Sequence, residues 1–145
     1  MHGPLLRLVS VALFLLLGAA GCGPGLYPVG GKVTYPDGAP VSKGMVVFES
    51  KGVDRPITAR GTIGPNGNYQ LTMSQPGDGV PPGTYRVLIA PQVDLSDADK
   101  PPSQRTPPLF DARYSEFSTS GLEFEVKAGN NDIPIMVARP TSDRR

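Results

Sequence analysis

Gly30-Gly31-Lys32-Val33-Thr34-Tyr35-Pro36-Asp37-Gly38-Ala39-Pro40-Val41, followed at once by Gly44-Met45-Val46-Val47-Phe48-Glu49, reads as a strand, a tight turn and a second strand. Val33 and Tyr35 fall on one side of the first run and Lys32 and Thr34 on the other, the period of two of a half-buried strand. Pro36 presets the backbone angle of the first turn position, and Gly38 is free to take the positive φ that closes such a turn. The rest of the chain repeats this pattern.

Ile57, Ala59, Gly61 and Ile63 alternate with Thr58, Arg60 and Thr62. The Gly64-Pro65-Asn66-Gly67 turn follows. Tyr69, Leu71 and Met73 then alternate with Gln70, Thr72 and Ser74, and the whole predicts a hairpin. Gly83-Thr84-Tyr85-Arg86-Val87-Leu88-Ile89-Ala90 is the most apolar run and is expected at the centre of a sheet. Leu122, Phe124 and Val126 alternate with Glu123, Glu125 and Lys127; Gly129-Asn130-Asn131 then turns the chain into Ile133, Ile135 and Val137. Pro134 has no N–H to donate, which places that last run at an edge or a strand start. No stretch has a helical period. Seven short strands joined by turns predict an all-β, seven-stranded antiparallel β-sandwich. Its expected core is Val33, Tyr35, Val46, Phe48, Tyr69, Leu71, Tyr85, Val87, Ile89, Leu122, Phe124 and Val126.

Composition narrows the function. The chain has 145 residues, one domain's worth, with 14 Lys and Arg against 13 Asp and Glu. No strong field or basic patch marks a nucleic-acid partner. The 18 Gly and 17 Pro make up about a quarter of the chain. They sit between alternating apolar runs, where turns need them, so they argue against disorder.

The N-terminus reads as an export signal. Arg7 and the free amino group precede a nearly continuous apolar run over residues 8–17, followed by Gly18-Ala19-Ala20-Gly21-Cys22. That run is too short for a hydrocarbon core of about 30 Å but suits the h-region of a signal peptide. The small residues before Cys22 resemble a bacterial lipobox, with Ala19 where the family prefers Leu. The resemblance implies cleavage before Cys22 and its acylation with diacylglycerol. An ordinary secretory signal cut near Ala20 or Gly21, leaving a free thiol, is the alternative. A lone cysteine in an exported chain has no intramolecular disulfide partner. The expected organisation is a lipoprotein signal peptide (1–21), a tether (22–28), a β-sandwich domain (29–139) and a C-terminal tail (140–145). Gly23 follows the cysteine where an Asp would retain the lipoprotein at the inner membrane, so delivery to the outer membrane is expected.

The order of the motifs resembles the carboxypeptidase regulatory-like, or transthyretin-like, domain. Val29-Gly30-Gly31-Lys32-Val33-Thr34, Asp37-Gly38-Ala39-Pro40-Val41 and Val46-Val47-Phe48 match its opening. Asn66-Gly67-Asn68-Tyr69 and Pro82-Gly83-Thr84-Tyr85-Arg86-Val87 match two of its strand starts. Tyr114, Ser120-Gly121-Leu122-Glu123-Phe124-Glu125-Val126 and Gly129-Asn130 match the tail of a small bacterial lipoprotein version. The resemblance spans residues 29–137. It implies a prealbumin-like, Ig-like sandwich and a non-catalytic accessory role, by analogy of fold.

Candidate chemistry is sparse. His2, the one histidine, lies in the predicted signal peptide, so the exported chain has no imidazole base for a nucleophile. Ser42-Lys43 and Ser50-Lys51 are sequence neighbours, which point to opposite faces of a strand and make poor dyads. Glu123 and Glu125 share one strand face roughly 7 Å apart and read as solvated charges. Asp94, Asp97 and Asp99 place three acids in one loop, a set suited to weak calcium binding but without EF-hand spacing. Its plainer reading is a flexible acidic loop. The glycines form no phosphate loop, since no helix follows them. No cofactor or catalytic residue is expected.

The function expected is a lipid-anchored envelope module with a non-enzymatic adhesion, scaffolding or binding role. Its partners would be the membrane, through Cys22, and an unidentified envelope protein or glycan. The alternative is a small carbohydrate- or peptide-binding lipoprotein with a defined pocket, for which Tyr27, Phe110, Tyr114 and Phe117 are the aromatics to locate. Residues 91–120 form a connection far longer than the usual 4–6 residues. Leu109, Phe110, Tyr114 and Phe117 are expected to dock on the sandwich, whereas residues 94–105 are expected to hang free and carry any variable contact.

Overall fold

The computed structural model describes residues 24–141. Its strands in chain order are β1 (Val29–Thr34), β2 (Met45–Ser50), β3 (Thr58–Thr62), β4 (Asn68–Gln70), β5 (Gly83–Ala90), β6 (Leu122–Val126), β7 (Asn131–Asp132) and β8 (Ile135–Met136). They form two four-stranded sheets around one core, an all-β, sandwich-like architecture. One sheet runs β3-β2-β5-β6; the other runs β4-β1-β7, with β8 also on β1. The only helical pieces among the described residues are three short 3₁₀ turns.

The first sheet is antiparallel throughout. β5 lies inside it, between β2 and β6, as its apolar run predicts. Phe48 sits opposite Val87, and Val46 opposite Ile89. All four point inward and are buried. Burying a side chain of this size stabilises by about 1.5–3 kcal/mol. The Phe48 ring lies 6.0–6.4 Å from those of Tyr85, Phe124 and Tyr69. The buried phenols keep partners: Tyr69 donates to Ile133 O and Tyr85 to Pro81 O, both at 2.8 Å. Burial, helped by the Asp132 charge, pushes the Tyr69 hydroxyl well above its usual range, so it stays a donor.

Of the expected core residues, only Leu122 and Phe124 are not buried. β6 is an edge strand, and among the described residues no neighbour covers its outer flank. Val29, Val41, Ala59, Ile63, Val80, Phe110, Tyr114, Ile133, Ile135 and Val137 complete the core.

Two expectations of pairing are corrected. The second sheet is mixed, because β7 and β8 run parallel to β1, with Val29 opposite Asn131 and Val33 opposite Ile135. The return run crosses from one sheet to the other after β6 and reaches β1 from the far side. The chain here also breaks at Pro134, so the last run is two short strands. The Gly64-Pro65-Asn66-Gly67 turn forms as expected, with Gly67 N donating to Gly64 O at 2.9 Å. The expected hairpin forms at its ends, with Gly64 N donating to Asn68 O at 2.9 Å and Arg60 pairing antiparallel with Thr72, yet between them β3 and β4 lie in different sheets. Ile63 N is claimed by Gly44 O and Leu71 N by Val29 O, so the two runs cover the core from opposite sides.

The opening turn closes as its sequence requires. Gly38 has φ 85° and donates to Tyr35 O at 2.9 Å. Gly31 allows the closest approach in the mixed sheet, since a Cβ there would fall 2.1 Å from Ile133 O.

Candidate functional site

The long connection between β5 and β6 builds the site. It divides at Pro107-Pro108. The second half docks: Phe110 and Tyr114 are buried, and Leu109 packs partly against the core. Four hydrogen bonds hold it there. Tyr35 donates its hydroxyl to Leu109 O at 2.7 Å, Asp111 N donates to Ala138 O at 3.0 Å, and Ala138 N donates to the Tyr114 hydroxyl at 3.2 Å. Ser120 Oγ donates to Val87 O.

The first half closes on itself. Asp97 is its organiser. Its Oδ1 accepts from Lys100 Nζ at 2.7 Å and its Oδ2 from Thr106 N at 3.0 Å. These contacts, the ammonium foremost, hold the Asp97 carboxyl well below the usual carboxylate range. Asp94 accepts from Ser96 N at 2.9 Å and caps the first 3₁₀ turn, Leu95–Asp97. Arg105 Nε donates to Lys100 O at 2.9 Å. The expected free loop is exposed, but it is a closed one.

Where the two halves meet, they line a half-open cavity of about 350 Å³. Pro91, Pro107, Pro108, Leu109 and Phe110 supply its apolar wall. Lys43 and Arg105 bring cations to it, and Asp94 and Asp97 bring carboxylates. Prolines suit such a wall because they offer apolar surface without an N–H to satisfy. A second, more open depression of about 530 Å³ lies over Pro28, Gly30, Thr62, Tyr69 and Asn131.

The sequence candidates map unevenly onto this site. Cys22 lies outside the described residues. Asp94 and Asp97 both reach the cavity, but Asp99 is exposed and does not line it. No group of three or more His, Cys, Asp or Glu is placed to hold a metal among the described residues. The four aromatics do not gather on one surface: Phe110 floors the cavity, Tyr114 is buried elsewhere in the core, and Tyr27 and Phe117 are half-buried. Phe117 lies under the Arg86 guanidinium at 4.9 Å. On the outer face of the first sheet Arg86 pairs with Glu49 and Lys51 with Glu123. Of the two Ser-Lys pairs, Lys43 lines the cavity, and Ser50 Oγ accepts from Ile57 N at 2.8 Å.

Lys43, Pro107 and Pro108 are cavity residues that sequence reasoning missed. Nothing local to Lys43 signals the site, since it arrives from before β2. The Asp97–Lys100 spacing did carry a signal, because charges three apart meet on a helical turn.

No family model, curated protein or solved structure matches the chain.

Proposed function

We propose that this chain is a lipid-anchored module of the cell envelope that holds a partner and does not transform a substrate. It would be a carboxypeptidase regulatory-like, prealbumin-like and Ig-like sandwich, with Cys22 acylated and the outer membrane as its address. The apolar run before Gly18-Ala19-Ala20-Gly21-Cys22 supports the anchor. Counting residues 131–137 as one interrupted run, the strands number seven, which supports the family reading. One observation carries the binding role. The 94–106 loop is built outside the core and held in shape by its own Asp97. It displays Leu95 at 83% exposure, beside Val93 at 75% just before the loop. Apolar side chains held out on a shaped loop suit a contact surface.

The cavity favours a second reading, a small carbohydrate- or peptide-binding lipoprotein with a defined pocket. Its size falls in the range of small-ligand sites, and its cations and carboxylates would orient a polar ligand on an apolar floor.

Two experiments test these readings. Wild type is expected in the detergent phase on phase partition and Cys22→Ser in the aqueous phase. Wild type in the aqueous phase sinks the anchor. Replacing residues 94–105 with a Gly-Ser linker should abolish capture of envelope partners while leaving the fold intact. Full retention of every partner would reduce the loop to a spacer.

A further inference from the structure

The two sheets have four outer flanks, and three of them are bridged or interrupted. The flanks of β3 and β4 are bridged where Arg60 N donates to Thr72 O, just past β4, at 3.0 Å and Thr72 N to Arg60 O at 2.7 Å. On the β7–β8 flank, Ile133 N and Val137 N face β1, which turns Asp132, Pro134 and Met136 outward. Pro134 has no N–H, so that flank cannot carry a continuous ladder.

The β6 flank is different. Lys51 N donates to Thr84 O at 2.9 Å, so Thr84 and Arg86 direct their backbone groups at β2, and Gly83, Tyr85 and Val87 direct theirs at β6. The register places Tyr85 opposite Phe124 and Val87 opposite Leu122. Leu122, Phe124 and Val126 therefore bond inward, and the N–H and C=O groups of Glu123 and Glu125 point away from the sheet. No hydrogen bond reaches them among the described residues. At Lys127 the flank ends, because the Asn131 side chain accepts from Lys127 N at 2.9 Å and donates to Lys127 O at 2.8 Å.

We propose that this open flank takes an extended segment of a partner polypeptide by strand addition, and that the segment alternates basic and apolar residues. Backbone pairing to Glu123 and Glu125 would supply the bonds. Side-chain chemistry selects the sequence. Glu123 and Glu125 are exposed on the outer face beside the flank, and Glu125 makes no ion pair among the described residues. A lysine or arginine opposite them is a favourable cross-strand pair. On the other face Leu122 and Phe124 are only half-buried, so apolar residues of the added strand would complete their cover. The same carboxylates select against a second copy of this chain. Two β6 strands paired antiparallel about Phe124 would set Glu123 against Glu125 twice, and like charges directly opposite destabilise. The flank shares no residue with the cavity, and the inference is independent of the anchor and of the loop.

The test is amide hydrogen exchange on the full chain in detergent, with a pentapeptide alternating lysine and valine as the probe. Saturating peptide should slow exchange at Glu123 and Glu125 about tenfold or more. A glutamate–valine peptide should leave both unprotected. Glu125→Lys should weaken the basic peptide and admit the acidic one, with retained protection of Arg86 and Leu88, which bond to β2, showing that the sheet is intact. Unchanged exchange with the basic peptide overturns the proposal. So does equal protection by both peptides. Protection that rises with protein concentration alone assigns the flank to self-association and overturns it too.

Discussion

The two halves of the connection between β5 and β6 reach order by different routes. Residues 109–120 borrow it: Phe110 and Tyr114 enter the core, Leu109 O accepts from the Tyr35 hydroxyl, Asp111 N donates to Ala138 O, and the Tyr114 hydroxyl accepts from Ala138 N. Residues 94–106 have almost no apolar side chain to bury, so they make their order locally, through one carboxylate with two donors. A long connection in a small sandwich needs no single explanation. Its apolar part behaves as core, and its polar part behaves as a small closed ring whose shape survives or fails without the sandwich.

Phe110→Ala has the largest expected effect. If the second half is core, the substitution lowers stability by about 3–5 kcal/mol in a denaturant melt. A loss under about 1 kcal/mol would show that the half merely lies against the surface.

Tyr114→Phe asks for less. It keeps the ring and removes the hydroxyl that accepts from Ala138 N and from the Arg113 guanidinium. A loss of about 1 kcal/mol is expected in the same melt. No change would mean that the ring alone docks this half.

Asp97→Ala should barely move the global melt, because nothing in the ring reaches the core. It should release Thr106 N and speed tryptic cleavage after Arg105, while cleavage after Arg113 stays slow. Acid should mimic it in the wild type. The Asp97 carboxyl is held below its ordinary 3.8, so its contribution is complete above that value and is lost as pH falls through the lowered one. Faster opening of the ring on raising the pH from 4 to 7 would contradict the sign.

Much of the fold was legible because strands and turns are local. Pro36 and Gly38 announced their turn, and the alternation around Phe48 and Val87 announced the inner faces. What failed was long-range. The runs on either side of Gly64-Pro65-Asn66-Gly67 do fold back on each other at Gly64–Asn68 and Arg60–Thr72, but the claims of Gly44 O and Val29 O draw them into two sheets. Phe124 alternates as cleanly as Phe48, yet it is half-buried because its strand is at an edge, and alternation is blind to strand order. The cavity was the least legible feature. Its walls come from residues 43, 91–94, 97–98 and 105–110, and they meet only because Asp97 folds the ring and Phe110 docks.

The parallel contact between β1 and the last two strands has a consequence in time. Asn131 N bonds to Pro28 O, and these residues stand 103 apart in the chain. β1 finds β4 early, but of the strands described it is the one whose second neighbour arrives last as the chain emerges from a ribosome, or from a pore threaded from the N-terminus. Closing so wide a loop is slow, and β1 presents unpaired backbone until it happens. The mixed sheet makes the domain a knot tied at the end: threadable while incomplete, and fastened only when residue 137 has cleared the channel.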